Sequence, residues 1–143
     1  MAATPRLFLD ASVLIAAAGS AIGGSARLPD VCQASKTPLL VTRLVLREAE
    51  RNIQEKLDEA DLLRFYQLIA NLDLQVIPTP SSEALSEAAE VVAAKDAHVL
   101  AGARTGKATH LITLDRKHFL HAKQKDGTFP IVACTPGEFL ETL

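Results

Sequence analysis

The stretch Leu7-Phe8-Leu9-Asp10-Ala11-Ser12-Val13-Leu14 decides how this chain folds. Three apolar residues end abruptly at an acid, the pattern of a short strand buried on both faces. Ser12 is placed to cap a helix over Val13 to Ala18, which Gly19 and the Gly23-Gly24 pair then break. Working outward, a second short helix is expected over Ala26 to Ala34, and Pro38 opens a strand over Leu39 to Val41. Thr42 caps a long amphipathic helix carrying Leu44, Val45, Ala49, Ile53 and Leu57 at helical spacing. Another helix spans Glu59 to Ala70, with Leu62, Leu63, Tyr66 and Ile69 expected on its inner face. A strand over Leu74 to Ile77 stops at Pro78 and Pro80. Helices follow from Ser81-Ser82 to about Ala94 and from Lys95-Asp96 to Gly106. A strand from His110 to Thr113 leads into Leu114-Asp115. A last strand over Ile131 to Cys134 precedes a short helix starting at Pro136, with Phe139 and Leu140. Strands alternate with helices throughout, so the expected class is α/β: a three-layer α/β/α sandwich on a mainly parallel sheet of about four or five strands.

The 143 residues fit a single domain, 1–143, with 48% apolar and 22% charged residues, an ordinary globular balance. Aromatics are only 4% and Trp is absent, so Leu, Val, Ile and Ala must build the core. Net charge is −2, so no global basic excess advertises a nucleic-acid partner. Cys32 and Cys134 stand far apart without CxxC spacing or a His cluster, and read as free, buried thiols of a reducing compartment. Arg6 before an apolar stretch resembles a signal peptide, but Asp10 interrupts that stretch. No apolar run reaches the roughly 20 residues that span a membrane. The expected location is cytoplasmic, with no membrane association.

Four acids occupy positions suited to chemistry. Ligands of open parallel sheets bind at the carboxyl ends of strands, near the switch in strand order. Asp10 and Asp115 each directly follow a strand. Glu48 lies about one and a half turns into the helix after Leu39–Val41, and Asp96 stands at the start of the helix before His110. Singly, each has an ordinary role: a helix cap for Asp10, Asp96 or Asp115, a solvated helix face for Glu48. Together they would repel one another and raise each other's pKa unless a cation neutralised them. Oxygen-only ligands suit Mg²⁺ or Mn²⁺ rather than zinc.

The blocks Leu9-Asp10-Ala11-Ser12-Val13-Leu14, Val45-Leu46-Arg47-Glu48, Lys95-Asp96-Ala97-His98-Val99-Leu100-Ala101 and Ile112-Thr113-Leu114-Asp115 resemble, in order and separation, those of PIN-domain proteins. The closing Thr135-Pro136-Gly137-Glu138-Phe139-Leu140 is similar to the family's last strand-to-helix step. The resemblance implies a metal-dependent endoribonuclease in which Asp10, Glu48, Asp96 and Asp115 hold one or two Mg²⁺ or Mn²⁺ ions. It further implies that Ser12 and Thr113 support the site through their hydroxyls, and that cleavage leaves a 5′-phosphate and a 3′-hydroxyl. Many relatives are toxins of bacterial toxin–antitoxin pairs, restrained by a small antitoxin, and homodimers are common. This chain departs from the pattern at Leu114, where a small residue is frequent. Glu50, two residues from Glu48, competes for the second acidic position; Glu48 is preferred because Leu44, Val45 and Ala49 then pack inward.

Between Arg104 and Lys125 stand six basic residues, Arg104, Lys107, Arg116, Lys117, Lys123 and Lys125, against Asp115 alone. Such a patch suits an RNA backbone, and Arg104, Lys107, Arg116 and Lys117 are the candidate contacts. A solvated charged loop is the bland alternative. His98 falls two residues after Asp96 on a helix, so the pair cannot share a face, and it reads as a surface or packing residue. His118 and His121 suit RNA contact. Two other readings stand beside the nuclease. One is an inactive PIN-like module that binds RNA or protein, against which the full set of acids argues. The other is a phosphotransfer domain with Asp10 as acceptor, which would want a second Asp where Ser12 stands.

Overall fold

The computed structural model describes residues 4–20, 22–123 and 131–143. Five strands, β1 (Leu7–Leu9), β2 (Leu39–Val41), β3 (Leu74–Val76), β4 (His110–Ile112) and β5 (Val132–Cys134), form one sheet in the order β3-β2-β1-β4-β5, all pairs parallel. Among the described residues six α-helices lie between strands, α1 (Ala11–Gly19), α2 (Gly24–Ser35), α3 (Arg43–Lys56), α4 (Glu59–Asn71), α5 (Ser82–Ala89) and α6 (Ala97–Thr105), and α7 (Pro136–Glu141) follows β5. The result is the expected three-layer sandwich. Right-handed crossovers send α1 to α4 to one face on the way from β1 to β3, and α5 and α6 to the other on the return to β4. Among the described residues, no single helix is long and apolar enough to cross a membrane.

The core is aliphatic, as the composition requires. Leu7, Phe8, Leu9, Leu40, Val41, Leu111 and Ile112 are buried on the strands, under Leu14, Val45, Ile53 and Phe65 from one helical layer and Leu100 from the other. Cys32 and Cys134 are free and buried, and burial pushes both thiols up to about 11. Close packing of α6 on β1 depends on Gly102, where a Cβ would stand 2.8 Å from the Phe8 ring. Gly102→Ala is expected to lower stability by about 1–3 kcal/mol through overpacking, read as a lower urea midpoint at constant m-value. An unchanged midpoint would mean that this contact has slack.

Three expectations at the level of elements need correction. Asp10, not Ser12, caps α1: its Oδ1 accepts from Ala11 N at 2.8 Å, and the helix starts two residues early. On α4 the buried residue is Phe65, while Leu63 and Tyr66 are 58% and 43% exposed, because the helix sits rotated from the face chosen by spacing. Leu44, expected to pack inward with Val45 and Ala49, is 47% exposed, because α3 turns Val45, Ala49 and Ile53 to the core instead. The Thr42 cap and the Pro136 helix start stand as expected, the latter with a Thr135–Glu138 capping box.

Candidate metal centre

β1 and β4 are neighbours although three helical crossovers and two strands separate them in sequence, so the strand order reverses between them. The crevice at their carboxyl ends is the switch point where α/β sheets place their ligands. Asp10 leaves β1 there, held by Asp10 N donating to Ile112 O at 3.0 Å. Thr113, fully buried, leaves β4 beside it.

A hydroxyl network joins the two strand ends. Thr113 Oγ1 donates to Asp10 Oδ2 at 2.8 Å, and Ser12 Oγ donates to the same oxygen at 3.1 Å. In return Ser12 Oγ accepts from Leu114 N at 3.1 Å, and Thr113 Oγ1 accepts from Asp115 N at 3.0 Å. Each hydroxyl therefore donates to one acid's carboxylate and holds the backbone that presents the other acid. Two donors on one oxygen, with Ala11 N on the other, fix the Asp10 rotamer; the Asp115 side chain is exposed.

The other two acids reach the same edge through histidines. Glu48 Oε1 lies 2.8 Å from His98 Nε2, with His98 two residues past Asp96 on α6. Asp96 Oδ2 lies 3.6 Å from His118 Nδ1, three residues past Asp115. Asp96 makes no capping bond to α6, so the ordinary role open to it is not the one it plays. Neither ring nitrogen of His98 makes a hydrogen bond of good geometry despite the short approach, and both are shielded from solvent. Sequence spacing gives no sign of this histidine's role, because its partner comes from α3. Glu50 faces elsewhere: Tyr66 OH on α4 donates to its carboxylate at 2.6 Å, a bond that raises the phenol's pKa. The structure thus separates the two candidates for the second acidic position.

Among the described residues, no three Asp, Glu, His or Cys side chains stand close enough to ligate one ion directly. The donors present are nonetheless those a hard, water-rich ion uses. Mg²⁺ keeps several waters and takes one or two carboxylates directly, with substrate phosphates completing the shell.

The basic residues do not form one patch. Arg104 and Lys107 lie at the far end of α6, where Arg6 at the start of β1 donates to Gly106 O at 2.9 Å. Helices of parallel units run antiparallel to their strands, so the end of α6 is carried to the edge opposite the acids. Arg116 and Lys117 remain beside Asp115, and Arg116 Nη1 donates to Glu138 Oε2 at 3.0 Å, an exposed pair. Lys125 and the side chains of His121 and Lys123 lie outside the described residues.

A PIN domain family profile matches residues 6–117. The chain belongs to the PIN-domain family. Similar solved structures include PAE2754 from Pyrobaculum aerophilum, at TM-score 0.63 and 19% identity over 96% of this chain and 89% of that one. Another is VapC20 from Mycobacterium tuberculosis, a sarcin-ricin loop cleaving toxin, at TM-score 0.53 and 16% identity over 87% of this chain and 92% of that one. At these identities the likeness is one of fold. No curated protein matches.

Proposed function

We propose that this PIN domain is a metal-dependent endoribonuclease, with Asp10, Glu48, Asp96 and Asp115 holding Mg²⁺ or Mn²⁺ at the β1/β4 switch point. The observation that carries the reading is the double hydroxyl support of Asp10 by Ser12 and Thr113. A carboxylate needing only to cap a helix has no use for it. Bound there, the ion supplies an acidified water and positive charge for the phosphate oxygens. Ser12 and Thr113 fix the Asp10 carboxylate and, through their bonds to Leu114 N and Asp115 N, the approach of the second acid. Arg116 and Lys117 hold the RNA backbone at the rim, where the exposed Glu138 pair costs little to exchange for a phosphate. No free histidine is required as a general base, since His98 and His118 are turned toward Glu48 and Asp96.

The sarcin-ricin loop cleavage of the similar VapC20 supports RNA as the substrate class, and a toxin role with a cognate antitoxin follows the same likeness. Homodimerisation and a cytoplasmic site of action complete the proposal. The purified protein is expected to cut RNA in Mn²⁺ or Mg²⁺, to stop on EDTA, and to resume on Mn²⁺ addition, leaving 5′-phosphate ends. Cleavage that persists in EDTA overturns the metal dependence. Glu48→Gln is expected to lower the rate more than about tenfold. Glu50→Gln, which disturbs only the Tyr66 bond, is expected to stay within about twofold; equal losses would contradict the assignment of Glu48.

A further inference from the structure

α3 places Arg43, Arg47 and Arg51 four residues apart, so they stack along one exposed helical face. Successive guanidinium groups start about 6 Å apart along the axis, and the row extends about 12 Å from the helix's first turn. That first turn follows β2 at the same sheet edge as Asp10 and Asp115. Glu48 flanks the row, one residue past Arg47.

Among the described residues the other arginines, apart from the exposed Arg27 on α2, are occupied. Arg6 binds Gly106 O, Arg64 binds Asp61 and Ala18 O, Arg116 binds Glu138, and Arg104 also has a partner. Arg43, Arg47 and Arg51 form no ion pair or hydrogen bond among the described residues. The acids on their own helix do not compensate. Glu48 is turned to His98 and Glu50 to Tyr66, and Glu55 forms no ion pair with Arg51. Like charges stacked at this spacing destabilise a helix by a few tenths of a kcal/mol per pair. An arrangement that repels itself, open to solvent and starting at the acidic edge, is matched by an extended polyanion.

We propose that Arg43, Arg47 and Arg51 form a phosphate-binding track that guides single-stranded RNA along the outer face of α3 into the acidic crevice. The proposal rests on the nuclease reading and adds to it where the substrate lies. Arginine suits the task because its planar fork binds phosphate oxygens in pairs. With 4% aromatics in the chain, the track reads backbone charge rather than base identity.

The test compares wild type with the R43Q/R47Q/R51Q variant for binding to a fluorescent single-stranded RNA, with Ca²⁺ replacing Mg²⁺, across a salt series. Three lost phosphate contacts are expected to reduce the slope of log affinity against log salt by about two. The corresponding triple Lys variant, which keeps the charges, is expected to restore most of that slope. Glutamine retains helix propensity, and removal of the repulsion is expected to leave the melting temperature no lower than that of wild type. An unchanged slope in a variant of a protein that still cleaves RNA overturns the track alone. Absence of both binding and cleavage in wild type overturns the nuclease reading and the track with it. An unchanged RNA slope with lost binding to polyglutamate overturns the track in favour of an acidic protein partner.

Discussion

Asp10→Asn is expected to reduce Mn²⁺-dependent RNA cleavage by more than 100-fold while shifting the melting temperature by less than about 5 °C, some 1 kcal/mol. The loss should exceed the roughly 10–100-fold that follows removal of an outer-sphere partner, because the substitution deletes a charged ligand. The fold survives because Asn caps helices about as well as Asp. Its carbonyl oxygen can take the bond from Ala11 N, leaving the amide to face Ser12 and Thr113. Both hydroxyls have lone pairs to accept from it. A variant that melts normally and cleaves at the wild-type rate would remove Asp10 from the site. Initial rates and thermal melts on the same preparation separate the two effects.

The second large effect is expected at Thr113, a residue with no exposed surface. Thr113→Val keeps the shape but removes the donor to Asp10 Oδ2 and the acceptor for Asp115 N at once. Losing the part-buried bond to Asp115 N costs about 0.5–1.5 kcal/mol. The Asp10 carboxylate retains only Ser12 on that oxygen, and cleavage is expected to fall about 10–100-fold. Thr113→Ser, which keeps the hydroxyl and loses a methyl group, should recover most of the rate while remaining somewhat less stable. If Val and Ser variants lose activity equally, packing rather than hydrogen bonding explains the residue. Urea melts with initial rates decide between them.

The strand-acid-helix step at Leu7 to Leu14 was legible because both halves are local: an apolar run short enough only for a strand, then a residue able to cap. The same holds for Thr42 before α3 and Thr135 before α7. What local pattern misses is contact between distant segments. Both Asp10 and Ser12 are good cap residues, and only the position of Thr113, about a hundred residues on, decides that Ser12 turns to the strand-end network. Glu48 and Glu50 turn to different neighbours, His98 on α6 and Tyr66 on α4, neither readable from α3. The grouping of Arg104 and Lys107 with Arg116 failed for a related reason. Nearness in sequence suggested a patch, but β4 intervenes and carries the two ends of the segment to opposite edges of the sheet. The arginine row of α3, by contrast, was present in the spacing and needed the structure only to show that its members are exposed and unpaired among the described residues.

The proposed oxygen-only cation site lies between the ends of β1 and β4. Anomalous diffraction from crystals soaked in Mn²⁺ tests it most directly. A manganese peak is expected at the Asp10 and Asp115 crevice in the wild type, and its loss in Asp10→Asn. A peak only elsewhere, or an undiminished peak at the crevice in the variant, would contradict it.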